Sequence, residues 1–237
     1  MEHTDIATAF FERSFVLQQL MGPNCLRLAE EILQKAEIGD ARRILDLGCG
    51  TGLTSMYLAS RSSAQIVAYD LWIDATDNFA RFRQYDFDAR IIPVHGQADA
   101  MPFARGYFDA MLSVDAYFYF GAKEGFLENA LTPFVRSGGL LAIVVPGLKE
   151  DFSQDVPEEL RPYWQDEMNF YTAQWWADLF DRSSAVALEH CFSLSCHDAA
   201  WRDWLACEHP YAIRDRDMMR AEAGKYFDTI GIVARVV

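Results

Sequence analysis

From residue 43 onward, short apolar runs alternate with stretches of helical spacing. The runs 43–47, 65–70, 90–94, 108–114 and 140–146 are five to seven residues long and bounded by glycine, proline or charge, so they read as strands. Between them, 53–60, 75–87 and 123–134 read as helices. Residues 5–20 and 24–37 read as two further helices joined at Met21-Gly22-Pro23-Asn24, where Asn24 is a candidate cap. The rhythm breaks at 148–184, a stretch rich in proline, acids and aromatics, with a helix starting after Thr172. Strand-like 185–195 and 228–236 then enclose a helix near 199–224. Alternation of this kind predicts an α/β fold with a mostly parallel sheet and right-handed crossovers.

The chemistry concentrates where the first strand ends. Residues 44–52 read Ile44-Leu45-Asp46-Leu47-Gly48-Cys49-Gly50-Thr51-Gly52, and the next strand ends in Asp70. Glycines at every second position let a ligand approach bare backbone, and a helix starting near Gly52 turns its free N–H groups toward it. An acid at the end of the second strand suits the two hydroxyls of a ribose. A dinucleotide fingerprint would need glycine at 53, which is Leu53, and no Gly-Lys-Ser/Thr follows for a phosphate loop.

The pattern Asp46-x-Gly48-x-Gly50-x-Gly52 with Asp70 beyond it resembles motif I and the acidic loop of class I S-adenosylmethionine (SAM) methyltransferases. The likeness continues through most of the chain. Gly96-Gln97-Ala98 to Pro102-Phe103 resembles that family's adenine loop, with Gln97 where an aspartate is usual. Phe108 to Asp115 resembles the fourth-strand motif, and Pro133 to Gly139 the turn before the fifth strand. The details Gly22-Pro23-Asn24, Asp70-Leu71-Trp72 and Asp115-Ala116-Tyr117 are similar to a bacterial subgroup filed as cyclopropane-fatty-acid-synthase-like.

The resemblance implies a Rossmann-like fold in one domain over 1–237: a seven-stranded, mostly parallel sheet with an antiparallel C-terminal strand and helices on both faces. It implies S-adenosylmethionine as cofactor, held by Asp46, Gly48, Cys49, Gly50, Gly52, Asp70, Leu71, Gln97, Ala98 and Ser113. Residues 1–40 and the aromatic insertion 148–184 have no place in the sheet, so both are expected to form lids over the cofactor. Tyr117, Tyr171 and Asp115 are the catalytic candidates, with Tyr117 and Tyr171 facing the methyl group, while Gly22, Asn24 and Trp175 are candidates for the acceptor pocket. Trp176, about 100° round the helix from Trp175, is expected in the core.

Composition narrows the partners. A net charge of −14 opposes a phosphate backbone, and the longest apolar stretch, 138–147, is far short of a bilayer span, so a small molecule is the expected substrate and the cytoplasm the expected compartment. Five cysteines without a C-x-x-C pair fit neither a disulfide scaffold nor a zinc template, so no metal is expected. Transfer of a methyl group to a small molecule, as in secondary metabolism, is the leading function. The alternatives are intramolecular cyclisation of SAM to azetidine-2-carboxylate, NAD-linked oxidation, and a SAM-binding module without activity.

Overall fold

The computed structural model describes residues 11–152 and 155–237. The first half of the expected 5–20 helix lies outside the described residues; its remainder is α1 (Arg13–Gln19), followed by α2 (Cys25–Leu33). The chain then runs β1 (Arg43–Leu47), α3 (Leu53–Arg61), β2 (Gln65–Asp70), α4 (Ala75–Gln84), β3 (Ile91–His95), β4 (Phe108–Val114) and β5 (Val135–Leu148). The last part carries β6 (Tyr171–Thr172), α5 (Ala173–Asp181), β7 (Val186–Ser193), α6 (His197–Leu205), α7 (Pro210–Glu222) and β8 (Phe227–Val236).

The strands form one sheet in the order β3-β2-β1-β4-β5-β8-β7. β1 to β5 are parallel, and β8 lies antiparallel between β5 and β7. β1, β2 and β4 are buried almost end to end, as strands covered on both faces must be. The strand order reverses between β1 and β4. At such a switch point the two following loops diverge and open a crevice beyond the carboxyl ends of the strands.

Three expectations change. The 123–134 helix is instead a π turn over Leu127–Leu131 and a 3-10 turn over Thr132–Phe134. Gly125 at positive φ and Pro133 leave too little uninterrupted chain for an α-helix. The helix near 199–224 is two helices, because Pro210 cannot continue α6 and starts α7, with His209 as cap. The insertion 148–184 is not a lid: β6 pairs with the end of β5, and α5 packs on β7 with Trp176 and Phe180 fully buried. Its aromatic surface is satisfied against the sheet, where Trp164 and Phe227 flank Phe170.

The segment 19–25 borders the crevice. Asp203 of α6 ties it down, accepting from Asn24 Nδ2 at 2.8 Å, Arg27 Nε at 2.7 Å and Arg13 at 3.1 Å. These bonds hold the carboxyl of Asp203 below its usual range against the burial that would raise it.

Candidate active site

The crevice is floored by the turn after β1. Gly48, Gly50 and Gly52 all take positive φ (74°, 53° and 82°), a backbone that favours glycine. A Cβ on Gly48 would stand 2.2 Å from that of Ala116, and one on Gly50 would stand 2.9 Å from Met21 Sδ. The Asp70 carboxylate draws this turn to the next loop. Its Oδ2 accepts from Gly50 N–H at 2.8 Å, and its Oδ1 from Trp72 and Ile73 N–H at 2.7 and 2.9 Å. A carboxylate has about four acceptor positions, so three are filled here and one remains, on Oδ2. Asp70 was expected to serve both ribose hydroxyls; its amide bonds leave room for one.

Beneath the turn, Asp46 is buried and accepts from Thr54 and Ser55 hydroxyls through Oδ2, at 2.6 and 2.5 Å. Its Oδ1 is buried with no partner. Burial pushes the carboxyl up to about 6, against the two hydroxyl bonds that lower it.

Together these residues wall a cleft with about 990 Å³ of space between atoms, part of it open to solvent. One wall is Gly48, Cys49, Gly50, Asp70, Leu71 and Trp72; the other is Val114 to Ala116 with Tyr119 and Phe120. Met21, Gly22, Pro23 and Cys25 close over it, and Gly96 and Ala98 border the far end. Burial, with Asp46 and Asp115 nearby, raises the Cys25 thiol to about 12 and also raises Cys49, so neither is a nucleophile near neutrality.

Asp115 stands at the end of β4 with φ 56°, in a region L-residues seldom occupy. Its Oδ2 lies 2.3 Å from where a Cβ on Gly22 would sit, so any side chain there would have to displace the carboxylate. Burial raises its carboxyl to about 7, and Asp215 of α7 adds to the rise.

Several expected site residues lie elsewhere. Tyr117 is fully buried among Phe120, Phe126, Trp176 and Phe180, with its hydroxyl unpartnered. The 3-10 turn after Asp115 rotates it into the core and brings Tyr119 to the cleft instead. Tyr171 stacks on Trp175 at 3.7 Å and touches Trp176, so both follow the insertion onto β7 rather than the cleft. Trp176 is in the core, as its helical phase requires.

Asn24 caps α2 through Leu26 N–H and bonds Asp203, a structural role that takes it out of the pocket, whereas Gly22 lines the cleft. Ser113 is fully buried and bonds the Leu47 carbonyl at 2.7 Å, joining β4 to β1. The Gln97 side chain is exposed, because its carbonyl accepts from Tyr69 OH at 3.0 Å and turns the side chain outward. Gly52 caps α3, and a Cβ there would meet the Phe82 ring at 2.4 Å. Among the described residues, no group of three His, Cys, Asp or Glu side chains is placed to hold a metal ion.

Sequence reasoning missed Gln19, Met21, Pro23, Trp72, Tyr119 and Phe120. Trp72 carried a signal, a bulky ring two residues beyond the acid in a loop that must stay exposed.

The donor set fits an adenosine-bearing sulfonium. The glycine floor offers bare backbone, and Asp70 keeps one acceptor position.

Comparison with known proteins agrees. A family model described as a methyltransferase domain matches residues 44–139. The chain is 25% identical to the malonyl-[acyl-carrier protein] O-methyltransferase of Haemophilus influenzae over 166 residues, 70% of this chain and 58% of that one. It is 29% identical to a tRNA1(Val) (adenine(37)-N6)-methyltransferase of a Shewanella strain over 113 residues, 46% of this chain and 48% of that one. The chain thus spans about half the length of the curated relatives it matches. The crystal structure of geranyl diphosphate C-methyltransferase from Streptomyces coelicolor, in complex with S-adenosyl-L-homocysteine, superposes with a TM-score of 0.67 at 14% identity, covering 95% of this chain and 78% of that one. Glycine turn, sheet order and the methyltransferase domain matched over residues 44–139 coincide, and over that region the chain is similar to S-adenosylmethionine-dependent methyltransferases.

Proposed function

We propose that this chain moves the methyl group of S-adenosylmethionine to a small-molecule acceptor. The observation that carries the reading is the cleft at the β1/β4 switch point, floored by three positive-φ glycines and closed by the Met21–Cys25 segment. Bound there, the cofactor supplies an electrophilic methyl on a positively charged sulfur. The protein's part is alignment and exclusion of water. Gly48, Gly50 and Asp70 would hold the adenosine half, and Leu71 with Ala98 would flank its base. Val114 to Ala116 and Phe120 would face the reacting end.

An enclosed cleft suits a small acceptor better than a duplex or folded RNA, and a net charge of −14 supports the same choice. Calorimetry with SAM, S-adenosylhomocysteine and NAD is the direct test. The first two should bind and NAD should not; NAD binding in their place overturns the reading. Incubation with SAM alone should release no methylthioadenosine. Its release without an acceptor would replace transfer by intramolecular displacement.

A further inference from the structure

The cleft is unusual in its charge. Among the described residues that line it there is no Lys, Arg or His; its charged side chains are Asp70 and Asp115. Asp70 is occupied by three backbone amides. Asp115 is not: none of the hydrogen bonds or ion pairs resolved here uses its carboxylate, and the charged group acting on it is another acid, Asp215. The cations acting on Asp215 are Arg214 and His209, and Trp204 Nε1 bonds it at 2.9 Å. The other titratable groups around Asp115 are the Cys25 thiol from α2 and the Tyr119 hydroxyl, both of which it pushes up.

Aromatic rings stand at the same end. Trp72 and Tyr119 meet edge to face at 5.0 Å across the mouth, 63% and 47% exposed. Met21, Leu71, Trp72 and Tyr119 are four of the nine exposed large apolar side chains among the described residues, and all four rim this cleft. Tyr211 of α7, also exposed, acts on Tyr119 from the C-terminal side. Phe118 packs on Tyr119 at 3.9 Å, and the ring surface left exposed beside an unpaired carboxylate suits a desolvated organic cation, because ring faces and the carboxylate both attract positive charge. An anionic acceptor would meet two carboxylates and no counter-charge.

We propose, resting on the methyl-transfer reading above, that the acceptor is an amine that arrives as its ammonium form, with at least one N–H, and is held by the Asp115 carboxylate beside the contacting Trp72 and Tyr119 rings. Asp115 then takes one proton from nitrogen. The freed lone pair forms the new nitrogen–carbon bond, the carbon–sulfur bond breaks, and its electron pair remains on sulfur in the neutral thioether product. The raised carboxyl of Asp115 makes it a competent proton acceptor near neutrality.

The test separates this inference from the cofactor reading. Tetramethylammonium chloride and sodium phosphate are titrated calorimetrically into the full chain, with and without saturating S-adenosylhomocysteine, for wild type, Asp115→Asn and Trp72→Leu. Asparagine tolerates the left-handed backbone at 115, and an exposed ring at 72 can be removed without opening the core, so both variants should fold. Tetramethylammonium should bind with S-adenosylhomocysteine present, and phosphate should not. Asp115→Asn should weaken the tetramethylammonium affinity by about tenfold and Trp72→Leu by about threefold. Labelled methyl from SAM should appear on primary or secondary amines in a mixed panel and not on carboxylic acids or phenols. Phosphate binding, transfer to an acid or phenol, or tetramethylammonium binding indifferent to Asp115→Asn would each overturn the proposal. So would displacement of tetramethylammonium by S-adenosylhomocysteine, which would give Asp115 to the cofactor's own ammonium group. If S-adenosylhomocysteine itself does not bind, the methyl-transfer reading has failed, while the tetramethylammonium titrations still decide the cation site.

Discussion

The floor of the cleft and its outer wall are built from different materials. The floor, Gly48 to Gly52 with Asp70, is backbone in a strained path, and its contacts are amides on a carboxylate. The outer wall is side chain: Met21 and Cys25 from one segment, Asp115, Tyr119 and Phe120 from another, and Asp215 acting from a third. A backbone floor depends on local sequence, because dihedral angles and a single hydrogen-bonding acid specify it. A side-chain wall depends on how distant segments pack, so it can change with the substrate while the floor stays the same.

The largest effect that would test this contrast is a blow to the floor. Gly50→Val forces a β-branched residue to φ 53° and drives its Cβ against Met21 Sδ. S-adenosylhomocysteine affinity should fall by about 100-fold or more, since strain and lost space add. Normal calorimetric affinity in a folded variant would mean that the floor does not hold the cofactor.

Asp70→Ala comes next. It removes the acceptor for Gly50, Trp72 and Ile73 N–H and one position for the ribose, so binding should weaken by about 2–4 kcal/mol. Because most of that loss is loop order, the Trp72 loop should also become more open to amide hydrogen exchange. An affinity loss with unchanged exchange there would assign Asp70 to the ligand rather than to the turn.

The wall makes a smaller and pH-dependent contribution. Burial raises Asp46 to about 6 and Asp115 to about 7, from an ordinary 3.8. Both therefore bind a proton more tightly folded than unfolded. The stability they allow is complete below about pH 4 and is lost as pH rises through 6 to 7. Asp115→Asn should melt higher than wild type at pH 8, by about 1 kcal/mol after discounting for its partial exposure, and the gap should close toward pH 4. A gap independent of pH would show that the Asp115 carboxyl titrates normally.

The smallest effect separates the two tyrosines after β4. Tyr117→Phe removes a buried hydroxyl with no partner, so stability should stay level or rise by up to about 1 kcal/mol, with cofactor affinity and turnover unchanged. Slowed turnover would return Tyr117 to the reacting end, where its place in the sequence first suggested it.

The cofactor half was legible because its cues are local. Three glycines at alternate positions, an acid closing each of two apolar runs, and uninterrupted hydrophobic strands each have one cheap structural answer, and together they specify the sheet, its switch point and the turn. Pro210 is an equally local cue, and it starts α7. The rest depended on contacts between distant segments. Whether Tyr117 or Tyr119 faced the cleft turned on a single 3-10 turn, which an aromatic run of four does not reveal. An insertion full of aromatics could have covered the cleft or the sheet; β6 joined the end of β5 and drew Tyr171, Trp175 and Trp176 with it. Asn24 could have met a substrate, but Asp203, 179 residues away, claimed its amide. Glycine geometry is a property of each residue alone, and so the chain itself determined the floor. The facing of a ring or an amide depends on which partner arrives first to satisfy it, and that only the packed structure decided.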